Sequence, residues 1–378
     1  PSGGAGIICL DAMKGYGFEL ARLSSHTLNK MATIYPPYYH PSNPLDIMSA
    51  SFRYGYKRVY SEAVSAMIED DNVDIIFCIN GIPTLKTIGS IIEEKGPKKP
   101  ILSWIIGEYR EDEVEKLTKD IPLPVFAHPE RAFKTLNRCL EYKENKRFLD
   151  KPPELTSISK DRISEILRDA HKKGADHLFS DALDIMKCID LPVPKTMKMH
   201  GPLDAKNIID EMDPPLYIKF EVKGGLHKAK SGLIRPGILD AQGLLKAYTE
   251  ISSRIEKEEI RAVIVQEMVS GGTELFIGMK RDAKFGPVMI FGKGGGDVEI
   301  YKDIETIMLP FNREQAIYSF KKTRISKALQ ERDIGRFVDI MIRLSSLCVN
   351  FPLIKEMDIN PVIINRQGIW IVDAKIII

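Results

Sequence analysis

Three short apolar runs, VDIIFCI (73–79), ILSWII (101–106) and PVF (124–126), alternate with stretches whose apolar residues recur every three or four positions. The intervening stretches are KRVYSEAVSAMIED, TLKTIGSIIEEKG and REDEVEKLTKD, and a fourth apolar run, FEL (18–20), stands ahead of them. Runs this short and this apolar suit strands buried on both faces, which occur in parallel sheets whose crossovers are helices. Residues 1–145 therefore predict a doubly wound α/β domain.

The pattern changes after YKENKRFLDKPPELTS (142–157), a charged stretch carrying Pro152-Pro153 that reads as an exposed linker, with the second domain beginning at residue 158. Ile163, Ile166, Leu167 and Ala170 then share one helical face, with Ser159 as N-cap and Gly174 as stop. Beyond them the chain is rich in strand signals: PLYIKFEV, AVIVQEMV, TELFIGMKRD, GPVMIFG, EMDINPVII and IWIVDAK. Helical patterns at 240–258 and 328–350 interrupt these strands, so the second part reads as α+β.

Charge excludes some partners. Lys+Arg 54 against Asp+Glu 52 leaves a net charge of +2, which gives no general attraction to nucleic acid or an anionic membrane. The apolar runs are too short to span a bilayer, and no charged-then-apolar leader is visible, so a cytoplasmic protein is expected. Five scattered cysteines without a CxxC pair read as reduced thiols, with neither a disulfide frame nor a zinc site.

Four clusters carry chemistry. Ser2-Gly3-Gly4-Ala5-Gly6 ahead of an apolar helical run suits a phosphate-binding turn at a helix N-terminus, or a tight turn whose glycines serve packing. No strand precedes this turn, which implies a domain whose first strand lies upstream of Pro1. In YIKFEVKGGLHKAKSGLIRPG (217–237), Lys219 sits in a strand-like run before a basic Gly-rich loop that carries His227. In 263–303, Gln266-Glu267 ends a strand, Glu274 starts the next, and Gly294-Gly295-Gly296 precedes Glu299, a spacing suited to nucleotide and magnesium or to ordinary strand-edge charges. In EMDINPVIINRQGIWIVDAK (356–375), Asn360 and Asp373 flank a hairpin whose turn is Asn365-Arg366-Gln367-Gly368, so pairing would bring two oxygen donors together. Ser25-His26-Thr27 looks like a further histidine motif, but His26 reads as an exposed, non-catalytic residue.

The ordered set Lys219, GLHK, Glu267, TELFIG, RDAKFGPV, FGKGGG, DINPV and VDAK resembles the ATP-grasp half of the ADP-forming acyl-CoA synthetases, relatives of succinyl-CoA synthetase. SGGAG, LSSHTLNKM and SNPLDI (42–47) resemble the domain that precedes that half in fused members. The resemblance implies a flavodoxin-like α/β domain over 1–145, a linker over 146–157 and an ATP-grasp domain over 158–378. The implied activity is acid + CoA + ATP ⇌ acyl-CoA + ADP + phosphate. Magnesium, ATP or ADP, and CoA are the implied ligands, with an unidentified acid as substrate.

By the same resemblance, Lys219 contacts nucleotide phosphates, and Gln266 and Glu267 meet adenine and ribose. Glu274 and Glu299 lie near metal and phosphate, and Asn360 and Asp373 hold magnesium. His227 receives a phosphoryl group from an acceptor histidine elsewhere and passes it to ADP. Ser2, Gly3, Gly4, Ala5 and Gly6 present a helix end to that phosphohistidine. The CoA-binding and acceptor-histidine domains are expected upstream or on another chain, in an oligomer. Two departures stand out: relatives carry an HKSDVGG-like run where this chain reads HKAKSGL, and a GIPVP-like turn where it reads Asp190-Leu191-Pro192-Val193-Pro194. A degenerate sensing module and an ATP-grasp carboxylate–amine ligase are the alternatives, and use of CoA or an amine separates them.

Overall fold

The computed structural model describes residues 3–96, 98–222, 232–295 and 303–378. The chain divides into two compact units, Pro1–Lys146 and Arg147–Ile378.

In the first unit, β1 (Ile76–Asn80), β2 (Ile101–Ile105) and β3 (Val125–Phe126) form a parallel sheet in the order β1-β2-β3. Helices Tyr56–Glu69, Ile82–Lys95 and Glu111–Thr118 fall where the spacing predicts them. The helix at 56–69 turns Val59, Ala63 and Val64 into a core shared with Ile76, Ile88 and Ile101. Full burial of a side chain such as Ile88 contributes about 1.5–3 kcal/mol.

FEL does not form a strand. Residues 18–24 carry no ladder; Phe18 N donates to Met13 O (3.3 Å), and side chains satisfy three main-chain groups further on. Asn43 Nδ2 donates to Ala21 O (2.9 Å), Asn72 Nδ2 to Arg22 O (3.0 Å), and the Asp70 carboxylate accepts from Ser24 N (2.8 Å). Phe18 packs instead against Phe133, ring centroids 5.8 Å apart, in a cluster on the helix Pro129–Leu149.

The stretch read as a linker is helical to Leu149, and beyond it the exposed chain is fastened to the second unit. Glu154 N donates to Phe311 O (3.0 Å) and Thr156 N to Ser346 Oγ (2.9 Å). Ser159 stands at the N-cap of helix Lys160–Lys172 without a side-chain cap bond, and Gly174 ends the turn at φ 62°.

The second unit holds two sheets. The larger consists of β4 (His177–Leu178), β9 (Thr273–Asp282), β10 (Gly286–Lys293), β11 (Ile304–Met308), β12 (Glu356–Ile364), β13 (Ile369–Ile371) and β14 (Lys375–Ile377). Its order is β11-β10-β9-β12-β14-β4, with β13 paired to β12. The smaller consists of β5 (Thr196–Lys198), β6 (Leu216–Val222), β7 (Ile234–Ile238) and β8 (Ile260–Glu267), in the order β5-β8-β6-β7. IWIVDAK, read as one strand, is split into β13 and β14 by residues 372–374. The helix Glu331–Asn350 places Phe337, Met341, Leu344 and Leu347 in one core with Leu275, Ile277 and Met279 of β9. The alternate residues of β9 and β10, among them Phe276, Gly278 and Ile290, face away from that core and stay partly exposed. Among the described residues, no helix is long and apolar enough to cross a membrane.

Candidate functional site

Strand β6 alternates in an unusual way. Ile218, Phe220 and Val222 belong to the core of the smaller sheet, while Lys219 and Glu221 on the opposite face are also buried, at 4% and 5% exposure. A buried ammonium needs acceptors, because desolvation without them costs several kcal/mol. Lys219 Nζ donates to Gln266 Oε1 at 2.7 Å and to the main-chain oxygen of Val372 at 3.0 Å. Gln266 is itself fully buried and donates through Nε2 to Thr196 Oγ1 (3.2 Å). Glu221 accepts from Ser180 N (3.2 Å) and Ser180 Oγ (2.8 Å), with Arg261 at 3.9 Å. Glu267 caps a neighbouring turn, accepting from Asp213 N at 3.1 Å.

Val372 leads to the second group. Its N donates to Pro361 O at 3.1 Å, continuing the β12–β13 register in which Val362 pairs with Ile371. One further step sets Asn360 opposite Asp373, and residues opposite each other in an antiparallel pair share a face. The predicted turn closes the hairpin, with Asn365 N donating to Gly368 O at 2.9 Å. Asn360 Oδ1 accepts from Gly295 N at 3.2 Å. Gly295 has φ 94°, and a Cβ there would lie 2.4 Å from Glu274 Oε2; one at Gly294 would lie 2.4 Å from the Leu275 backbone. Only glycine allows this approach. Gly294, Gly295, Glu274 and Lys293 line a cavity of about 300 Å³ together with Ile325.

Asp358 was missed in the sequence. Its carboxyl is pushed above the usual carboxylate range, first by partial desolvation and then by the charge of Asp373, with Lys375 opposing. The available signal was its position two residues before Asn360, on the same strand face.

Hydrogen bonds thus join Lys219 to Gln266 and Val372, Val372 to Pro361, Asn360 to Gly295 and Gly294 to Glu274, with Asp373 placed opposite Asn360 by the hairpin register. Gly3–Gly6 form the first turn of helix Gly3–Lys14 in the other unit, with open space beside Gly4 and Gly6. His26 is exposed. Ser2, His227 and Glu299 lie outside the described residues. Among the described residues, no group of three or more His, Cys, Asp or Glu is placed to hold a metal. Asn360 and Asp373 offer two oxygen donors, a set that fits magnesium, which keeps most of its water and takes one or two protein ligands. A larger cavity of about 380 Å³, beside Arg313, Arg336 and Arg343, contains none of these residues.

Residues 169–378 match the ATP-grasp domain family. The chain is 29% identical, over its whole length and 56% of the relative's, to acetate–CoA ligase [ADP-forming] I of Archaeoglobus fulgidus. It is 31% identical, over 57% of its length and 96% of the relative's, to the beta subunit of acetate–CoA ligase [ADP-forming] II of Pyrococcus furiosus. Among solved structures it is similar to the acetyl-coenzyme A synthetase 1 of Candidatus Korarchaeum cryptofilum in complex with coenzyme A and Mg-AMPPCP, with the phosphohistidine segment pointing towards the nucleotide binding site. That likeness has a TM-score of 0.51 and 30% identity over 57% of this chain and 99% of that one. The chain spans little more than half the length of the full-length relatives it matches. The chain belongs to the ATP-grasp family, among the ADP-forming acyl-CoA synthetases.

Proposed function

We propose that this chain supplies the nucleotide site of an acid–CoA ligase that converts acid, CoA and ATP to acyl-CoA, ADP and phosphate. The observation that supports it most is the buried Lys219, held between Gln266 and the residue preceding Asp373. A cation fixed there neutralises charge on a transferring phosphoryl group without reorganising at the moment of transfer. The Gly294-Gly295 backbone gives the phosphates close approach beside Glu274, and Gln266 and Glu267 at the end of β8 would meet adenine and ribose. Asn360 and Asp373 would hold magnesium, which when bound neutralises phosphate oxygens and orients them.

His227 is the proposed carrier. In the direction of ATP use, the β–γ bridging P–O bond breaks, an N–P bond forms at the imidazole, and ADP leaves. The return of the phosphoryl group to an acceptor histidine, and then to the acid, takes place on domains beyond this sequence, on the same or another chain. The beta subunit of the Pyrococcus relative is a precedent for the ATP-grasp part being a chain of its own. The glycine turn at residues 2–6 would present its helix end to the phosphohistidine.

The test uses the full chain and γ-labelled Mg-ATP. An acid-labile, base-stable label that is absent in His227→Ala and strongly reduced in Lys219→Met is the expected result. Acyl-CoA formation should require added CoA-binding and acceptor-histidine domains. Unlabelled protein, or ADP release driven by an amine in place of CoA, would refute this function.

A further inference from the structure

Asp303 stands at 9% exposure where the chain returns from the Gly-rich segment. Its carboxylate accepts two main-chain bonds, from Arg324 N at 2.6 Å (Oδ1) and Ile325 N at 2.7 Å (Oδ2), so both oxygens are used on the start of the short helix Ile325–Ala328. Its main-chain oxygen accepts from Lys293 N at 3.2 Å. A Cβ on Gly292 would lie 2.0 Å from that same oxygen. Asp303 therefore joins two things through one residue: the base of the Gly294-Gly295 segment and the turn that carries Ile325. Ile325 in turn lines the cavity beside Glu274, Gly294 and Gly295.

We propose that Asp303 is a positioning residue for the phosphate-binding glycines. It fixes the Lys293–Gly295 backbone against the wall formed by Ile325, so that the Gly295 amide is held where Asn360 meets it. The inference rests on the nucleotide reading above and adds to it a residue that touches no ligand. Charge-assisted bonds to two amides are among the stronger hydrogen bonds. An amide side chain at this position can satisfy one amide but turns its own NH2 toward the other. The turn then shifts, and the phosphate subsite shifts with it.

The experiment compares binding of Mg-AMPPNP with binding of AMP by the full chain, in wild type, Asp303→Asn, Gly292→Ala and Ser326→Ala. Ser326 Oγ donates to Lys321 O (3.3 Å) and Thr323 O (2.7 Å) within the same turn. Asp303→Asn should weaken Mg-AMPPNP binding about tenfold or more while leaving AMP affinity unchanged. Gly292→Ala, which pushes on the Asp303 main chain, should lower the same ratio. Ser326→Ala should lower the melting temperature and leave the ratio as in wild type. An unchanged ratio in folded Asp303→Asn, or the same loss in Ser326→Ala, overturns the positioning role alone. If Asp303→Asn does not fold, an unchanged ratio in Gly292→Ala overturns it equally. Failure of wild type to bind Mg-AMPPNP overturns the nucleotide reading and this proposal together.

Discussion

In the first unit Asn80 is fully buried at the end of β1, donating to Ser103 Oγ (2.8 Å) and accepting from Thr84 Oγ1 (3.1 Å). In the second, Lys219 is nearly as buried, but its acceptors are an amide oxygen and a main-chain carbonyl, and two mutually repelling carboxylates, Asp358 and Asp373, stand close by. Both networks remove polar groups from water. The Asn80 network joins neutral partners, one in the middle of β2 and one in the first turn of the helix Ile82–Lys95, and the physical return is stability. The Lys219 network sets an ammonium on two neutral acceptors, an arrangement poorer for stability and suited to a cation kept for an incoming anion.

Lys219→Met carries the largest expected effect, and its unfolding would make Lys219 a structural residue like Asn80. The expected outcome is a fall of about 100- to 1000-fold in phosphoryl transfer, read by ADP formation, with a melting temperature close to wild type. Asp373→Ala should lower magnesium-dependent turnover by about 100-fold. Because it relieves the repulsion on Asp358, its melting temperature should hold or rise, and calorimetry would show a drop if the carboxylate were structural. Asn80→Leu sharpens the contrast from the other side. It removes two buried side-chain bonds and leaves Ser103 and Thr84 only their main-chain acceptors, Cys78 O (3.3 Å) and Gly81 O (2.8 Å), so it should destabilise the first unit by about 1–3 kcal/mol in denaturant titration and leave nucleotide affinity unchanged.

The smallest effect is alkaline. Burial pushes the thiols of Cys78 and Cys348 up to about 12, and burial together with Glu130 does the same to Cys9. Tyr35 and Tyr60 are raised as well, first by burial. A raised folded-state value means that the stabilisation is complete below the ordinary thiol range and is lost as pH rises toward about 12. Cys9, Cys78, Tyr35 and Tyr60 lie in the first unit and Cys348 in the second, so the first should weaken sooner above pH about 9. Fluorescence of Trp104 and of Trp370, one in each unit, measures the two separately. Equal weakening would contradict the prediction.

Legibility in the sequence followed the local physics. VDIIFCI and ILSWII were readable because burial on both faces leaves no polar alternation, and the 365–368 turn because Asn and Gly mark it. FEL misled because Phe18 serves a helix contact while Leu20 stays exposed, and the main chain just after it, at Ala21, Arg22 and Ser24, is satisfied by Asn43, Asn72 and Asp70 from distant positions. Lys219 was visible as a charge in an apolar run. Its partner Gln266 was legible as a strand-end residue, but its turn toward Lys219 depends on the pairing of β6 with β8, which no local pattern encodes. Asp358 and Asp303 carried no sequence signal that was read, since what distinguishes them is the nearby charge of Asp373 and a pair of amides some twenty residues on.

The Lys219–Val372 bond spans 153 residues of chain, and the Lys219–Gln266 bond 47. Contacts of such separation form only after the loop entropy between them has been overcome, so they come late in folding. The smaller sheet can complete its ladder, and the larger one its core, while the ammonium still faces water. The β6–β8 ladder already brings Gln266 beside Lys219, and Val372 O joins them only when the larger sheet docks on the smaller. On the proposed nucleotide reading, affinity for Mg-ATP would report that last docking step, and a variant that slows docking would show full secondary structure before nucleotide binding.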